Sequence, residues 1–298
     1  MENAEFEEKT YEAPLYNQLA QGHHFIYTPG QVLENCIGFD AGLHVANKII
    51  WHILGNSVPL PGALLPLITW PLGWGPSNPK SSFPDFRLNL FLQAKRPLYY
   101  KRKPRSLQSL AVINTPLWAF KIVEHQQNLL NILALKTQGM AHVAYASAVF
   151  HTNTSLFAHI KNGTIVQNST FPSATTLQGH GKWYYWSPGT AGAANPKPES
   201  IEGEPFLDRI RTLAREARRY ESGDLSWLDV TARNVIEVAR DSEGLLDAVG
   251  AHFFDDLHLL NRLADQYKLQ QSLRAYIQIA LFSARFNLQW AVVTSSSE

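Results

Sequence analysis

The chain has 298 residues, 45% of them apolar and only 17% charged. That supplies enough apolar side chains for a large core and excludes a chain that is disordered throughout. The net charge of +1 hides a partition. Residues 1–40 carry one basic and seven acidic side chains, residues 41–198 fourteen basic and two acidic (Asp85 and Glu124), and residues 199–298 eleven basic and sixteen acidic. A cationic middle thus lies between two anionic ends, and a polyanionic partner is to be sought in the middle.

The lone Cys36 excludes an internal disulfide framework, and residues 1–11 are acidic and lack the apolar run of a secretory signal. Both fit a cytoplasmic location. The most apolar stretch, residues 58–74, is interrupted by Pro59, Pro61, Pro66 and Pro71. No membrane span is expected from it.

In chain order, a short helix is predicted over residues 13–20, stopped by Gly22. Thr28 as N-cap and Pro29 as first helical residue open a second helix, which Gly38 ends. Residues 39–45 read as a strand, followed by a Pro/Gly/Trp-rich insertion over about 55–84. Residues 87–95 form the clearest strand. Thr115-Pro116 repeats the capping signal and predicts a long helix to residue 138. Residues 142–150 suit a buried strand. Strand pairs are expected over 157–186, with Lys161-Asn162-Gly163-Thr164 as a hairpin turn. Residues 188–205 read as a linker. Helical periodicity follows over 206–220, 227–240, 245–267 and 273–286. The expectation is an α/β domain over 1–198 and a mostly helical C-terminal module over 199–298.

The strand over 87–95 sorts by parity. Leu88, Leu90, Leu92 and Ala94 share one face, while Gln93 and Lys95 share the other, roughly 7 Å apart. A lysine and an amide at the end of a core-type strand are costly to desolvate unless something uses them. Upstream, Gly38-Phe39-Asp40 places a carboxylate on the preceding strand, with Glu34 on the helix before it and Glu12 on the first helix. On the helix after the strand, Ile122, Gln126, Leu129, Leu130 and Leu133 form one stripe with Gln126 as its polar exception.

An acidic residue on one strand, then Glu or Gln, any residue and Lys on the next, resembles the PD-(D/E)XK (restriction-endonuclease-like) nucleases. The match is Gly38-Phe39-Asp40 followed by Gln93-Ala94-Lys95-Arg96, in the variant with glutamine for the second acid, over roughly residues 10–150. The resemblance implies a mixed sheet flanked by helices and a Mg²⁺- or Mn²⁺-dependent phosphodiesterase site. Asp40, the Gln93 side-chain oxygen and the Ala94 carbonyl would hold the ion. Lys95 would act on the attacking water and the phosphate. Glu34, or Glu12 in its place, would assist.

The run from Lys95 to Arg105 interleaves six basic residues with Tyr99 and Tyr100. Arg96, Lys101, Arg102, Lys103 and Arg105 match backbone phosphates, and the tyrosines offer stacking faces. Gln126 either binds a phosphate or is a buried amide satisfied by backbone. The histidines show no zinc-ligand spacing. DNA is the expected partner, with RNA as the other nucleic acid that fits. A protein partner or a second copy has two places to dock, the Trp-rich insertion (Trp51, Trp70 and Trp74) and the C-terminal helices. Two functions stay open at this stage: a Mg²⁺-dependent DNA nuclease of restriction, repair or anti-phage defence, and an inactive nuclease-like binding or scaffold subunit.

Overall fold

The parity of one strand organises the whole chain. In the computed structural model, which describes residues 1–21, 26–27, 86–108, 116–195, 199–201, 203–221, 224–242, 247–266 and 271–294, β3 (Phe86–Lys95) is the centre of a mixed sheet. The flanking strands are β2 (Ile26–Tyr27), β6 (Ala141–Ala148), β7 (Ser169–Thr170) and β11 (Gln289–Thr294), in the order β2-β11-β3-β6-β7. β6 runs parallel to β3, and β11 pairs antiparallel with β3 on its other edge. The strand expected over 39–45 lies outside the described residues, and between Phe86 and Leu92 the position beside β3 is filled by β11 from the far end of the chain.

Leu88, Leu90 and Leu92 of β3 pack with Ala144, Ala146 and Ala148 of β6 and Ala291 and Val293 of β11. They meet α1 (Glu8–Gln21), Leu156 of α3 (Asn153–Asn162), and Phe206 and Ile210 of α4 (Phe206–Glu216). The opposite face, with Phe91, Val143, Tyr145, Trp290 and Val292, packs on α2 (Glu124–Lys136), α5 (Ser226–Asp241), α6 (Asp247–Gln266) and α7 (Gln271–Arg285). Helices therefore cover both faces of the sheet, as a buried parallel pair requires. Among the described residues no helix is long and apolar enough to cross a membrane.

A second, antiparallel sheet joins β1 (Glu2–Asn3), β4 (Leu98–Tyr100), β5 (Leu117–Lys121), β8 (Lys182–Tyr185), β9 (Gly192–Asn195) and β10 (Glu199–Ile201) in that order. Because β4 follows β3 after only two residues, this sheet starts where the central strand ends.

Four expectations are corrected. The first helix starts at Glu8 rather than residue 13, and Pro14 lies inside it. The helix expected from Thr115-Pro116 begins only at Glu124, and Leu117–Lys121 form β5. Residues 153–162 are helical: Thr152 Oγ1 accepts from the Ser155 N–H (3.2 Å), and Gly163 closes the helix at φ 65°. Asn162-Gly163 marks a left-handed position, which a helix C-terminus and a hairpin share. The stretch read as a linker holds β9 and β10, and its small residues have a packing cause: a Cβ at Gly192 would lie 2.2 Å from the Trp183 ring. The C-terminal helices form at the predicted places; the chain then continues as β11, and one core cluster holds residues from both sides of position 198.

His142, buried at the start of β6, has no partner for Nε2; burial, aided by the Arg209 charge, lowers its pKa from 6.5 to about 4. A depressed folded-state pKa contributes stability that is complete above pH 6.5 and lost as pH falls toward 4. The loss expected over that window is on the order of 3 kcal/mol at about 1.4 kcal/mol per pH unit. Urea unfolding at pH 7 and pH 4 should show it, and His142→Leu should flatten this part of the profile. An unchanged acid slope in the variant would assign the loss to other groups.

Candidate active site

At the C-terminal end of β3 the apolar face gives way to polar side chains. Gln93 is fully buried and Lys95 half-buried, both on the face that meets α2. Lys95 Nζ donates to Gln126 Oε1, and Gln126 Nε2 donates to Gln93 Oε1 at 2.8 Å. The polarity of this chain follows from chemistry. A lysine only donates, so Gln126 must offer its oxygen to Lys95 and its N–H₂ to Gln93, which must answer with oxygen. Gln93 Nε2 is then left buried with no partner. A buried donor without an acceptor is costly, so this N–H₂ calls for an oxygen from outside the described set.

The amine also lies 5.7 Å from the centre of the Tyr145 ring, whose hydroxyl donates to Gln127 Oε1 (2.9 Å). Gln127 Nε2 donates to the Ala174 carbonyl (2.7 Å) and to Asn131 Oδ1 (2.8 Å). Neighbouring glutamines on α2 thus divide the two roles weighed for Gln126: Gln127 is the buried amide satisfied by protein, and Gln126 faces the site. Ser147 Oγ donates to the Lys95 carbonyl (2.8 Å) and steadies the strand end.

The carboxylate whose charge acts on this amine is that of Glu8, in the first turn of α1. Burial raises the Glu8 pKa, while the Lys95 charge and a hydrogen bond from the Arg96 backbone oppose the rise. Burial lowers the Lys95 pKa, and Glu8 opposes that. Glu12, one turn on, is paired to Lys9 (2.6 Å). Glu8 was missed from sequence because the helix was expected to begin after it; its i,i+4 spacing to Glu12 is the signal that could have found it.

Asp40 and Glu34 lie outside the described residues. Among the described residues no group of three or more His, Cys, Asp or Glu gathers in metal-binding geometry. The oxygen donors at this strand end are neutral, and a hard divalent ion takes such oxygens beside one or two carboxylates. Gln93 Oε1 keeps one lone pair after accepting from Gln126, and the Ala94 carbonyl follows it on the strand.

The basic run continues along β4 and the turn after it. Arg96 reaches the Glu7 carboxylate (2.8 Å) and the Ala4 carbonyl (2.5 Å), and Lys101 reaches Glu2 (3.3 Å). Arg102 and Arg105 are exposed and Lys103 is partly so. Tyr99 stacks on His151 (3.7 Å between ring centres), and Lys182 Nζ donates to Tyr100 (3.3 Å). Compared with models of protein families, with curated proteins and with solved structures, the chain matches none.

Proposed function

We propose that the chain is a Mg²⁺-dependent DNA nuclease built on a restriction-endonuclease-like core. The observation that carries this reading is the Lys95–Gln126–Gln93 chain with Glu8 at the end of the central strand. A half-buried amine of lowered pKa, a buried donor lacking an acceptor and a carboxylate of raised pKa converge there, and such groups gather at functional sites. The parallel β3–β6 pair, with α2 in its crossover, supports the same core.

In this reading Asp40, Gln93 Oε1 and the Ala94 carbonyl would hold the ion, and Mg²⁺ (or Mn²⁺), when bound, would supply positive charge to the phosphate and acidify water. The chain's own groups do the rest. Lys95 holds the attacking water and, as an ammonium, stabilises the negative charge that grows on the phosphate. Gln126 fixes the polarity of the site, so that Gln93 Nε2 has a phosphate oxygen as the acceptor it lacks. Arg96, Lys101, Arg102, Lys103 and Arg105 lie along the chain just beyond it and take the flanking phosphates.

The test is cleavage of plasmid DNA by the purified chain with Mg²⁺ or Mn²⁺. Nicking or linearisation is expected, abolished by EDTA, by Asp40→Ala and by Lys95→Ala. Full activity in both variants would overturn the assignment. Salt-sensitive binding without cleavage in the wild type would leave a nucleic-acid-binding module instead.

A further inference from the structure

The anionic start of the chain is folded onto its cationic middle. Glu2 pairs with Lys101 at 3.3 Å, and both carboxylate oxygens of Glu7 reach Arg96 Nη1 at 2.8 and 3.0 Å. Two acids within the first seven residues thus sit on two cations of the segment assigned to phosphates above, and the charge of Glu8 acts on Lys95 beside them. These contacts differ in permanence. Glu8 belongs to α1 and is half-buried, whereas the Glu2 and Glu7 side chains are 55% and 73% exposed. Exposed pairs of this kind are weak and yield readily to a competing anion.

The segment is also built to be fixed at one end. Ala4 and Phe6 are buried beside Tyr11 and Phe150, and the Ala4 N–H donates to the Pro97 carbonyl (3.0 Å). Beyond that anchor, β1 has two residues, on the edge of the antiparallel sheet, paired only with Leu98 and Tyr99 of β4. Met1 is 77% exposed. A buried hinge therefore carries a short strand whose carboxylate lies on the basic run.

The geometry points to residues 1–7 as an internal phosphate mimic: Glu2 and Glu7 occupy Lys101 and Arg96, and DNA binds by displacing them. This rests on the proposed nucleic-acid function and adds its regulation. DNA affinity is reduced by the fraction of molecules in which the carboxylates are seated.

The test is fluorescence anisotropy of a labelled DNA duplex with the full chain in EDTA, so that binding alone is read. Glu2→Gln/Glu7→Gln is compared with wild type and with Glu237→Gln/Asp241→Asn, which makes the same change in net charge at the remote Lys136 pairs. The Glu2/Glu7 variant is expected to bind about fivefold more tightly near 50 mM salt, the combined effect of two exposed pairs of ordinary strength. The gain should shrink toward unity near 300 mM as screening removes the competition. Equal affinity in wild type and variant, or an equal gain in the charge-matched control, would overturn the mimic and leave the nucleic-acid reading standing. No binding by any of the three proteins would remove that reading and the mimic with it.

Discussion

Lys95→Met is expected to lower metal-dependent DNA cleavage by about 10³-fold, the scale of removing one preorganised charged donor from a transition state. The same site should behave in the opposite way toward stability. Glu8 has a raised pKa in the folded chain, so its contribution to stability is full below the ordinary carboxylate value and lost as pH rises through the raised one. Lys95 has a lowered pKa, so its contribution is full above the ordinary amine value and lost as pH falls through the lowered one. Burial thus disfavours the charged form of each group, and each charge partly relieves the other. Replacing both by neutral groups of similar size, Glu8→Gln/Lys95→Met, should leave the melting temperature unchanged or raise it by a few degrees, because it removes the desolvation penalty of two half-buried charges. Thermal melts at pH 7 check this. A large fall in melting temperature would mean that the pair exists to hold α1 against β3, and the functional reading of the amine would lose its main support.

The second large effect is structural. Asn89, fully buried in β3, donates to Thr231 Oγ1 on α5 (2.9 Å) and to the Met140 carbonyl before β6 (3.3 Å), and accepts from the Trp290 indole N–H on β11 (2.9 Å). One amide thus ties the central strand to the C-terminal helices and to the strand that returns from them. Asn89→Leu, alike in branching though bulkier, removes three hydrogen bonds and leaves the indole N–H buried without an acceptor. With about 1 kcal/mol per bond and a further penalty for the orphaned donor, the expected loss is about 4 kcal/mol. Urea unfolding followed by circular dichroism measures it. Adding Trp290→Phe, which removes the stranded donor, should restore part of the loss in a double-mutant cycle. A loss under about 1 kcal/mol would show that β11 is held by apolar packing alone.

Local spacing settled much of the architecture in advance. The alternation in Leu88, Leu90 and Leu92 against Phe91, Gln93 and Lys95 assigned both faces of β3 correctly, because a strand's period of two leaves no other arrangement. The four C-terminal helices were legible for the matching reason, an apolar stripe at helical period. For Gln126 the sequence left two roles open, a group facing the site or a buried amide satisfied by backbone; its bond to Lys95, and the backbone bond made instead by Gln127, are visible only in the structure.

What no window of sequence contained was the partner of each surface. Val292 pairs with Asn89 across some two hundred residues, and β11 carries no local mark of the strand it joins. Gly192 and its alanine neighbours looked like a linker until the Trp183 ring lay against them. Glu8 became the counter-charge of Lys95 only when α1 was laid along the sheet. The amino-acid order by itself determined which side chains share a face and where helices run, since both follow from backbone geometry over a few residues. Which face meets which, and so which charges confront one another, was decided by the tertiary structure, because burial of apolar area is non-directional and selects partners only through the packing of the whole core.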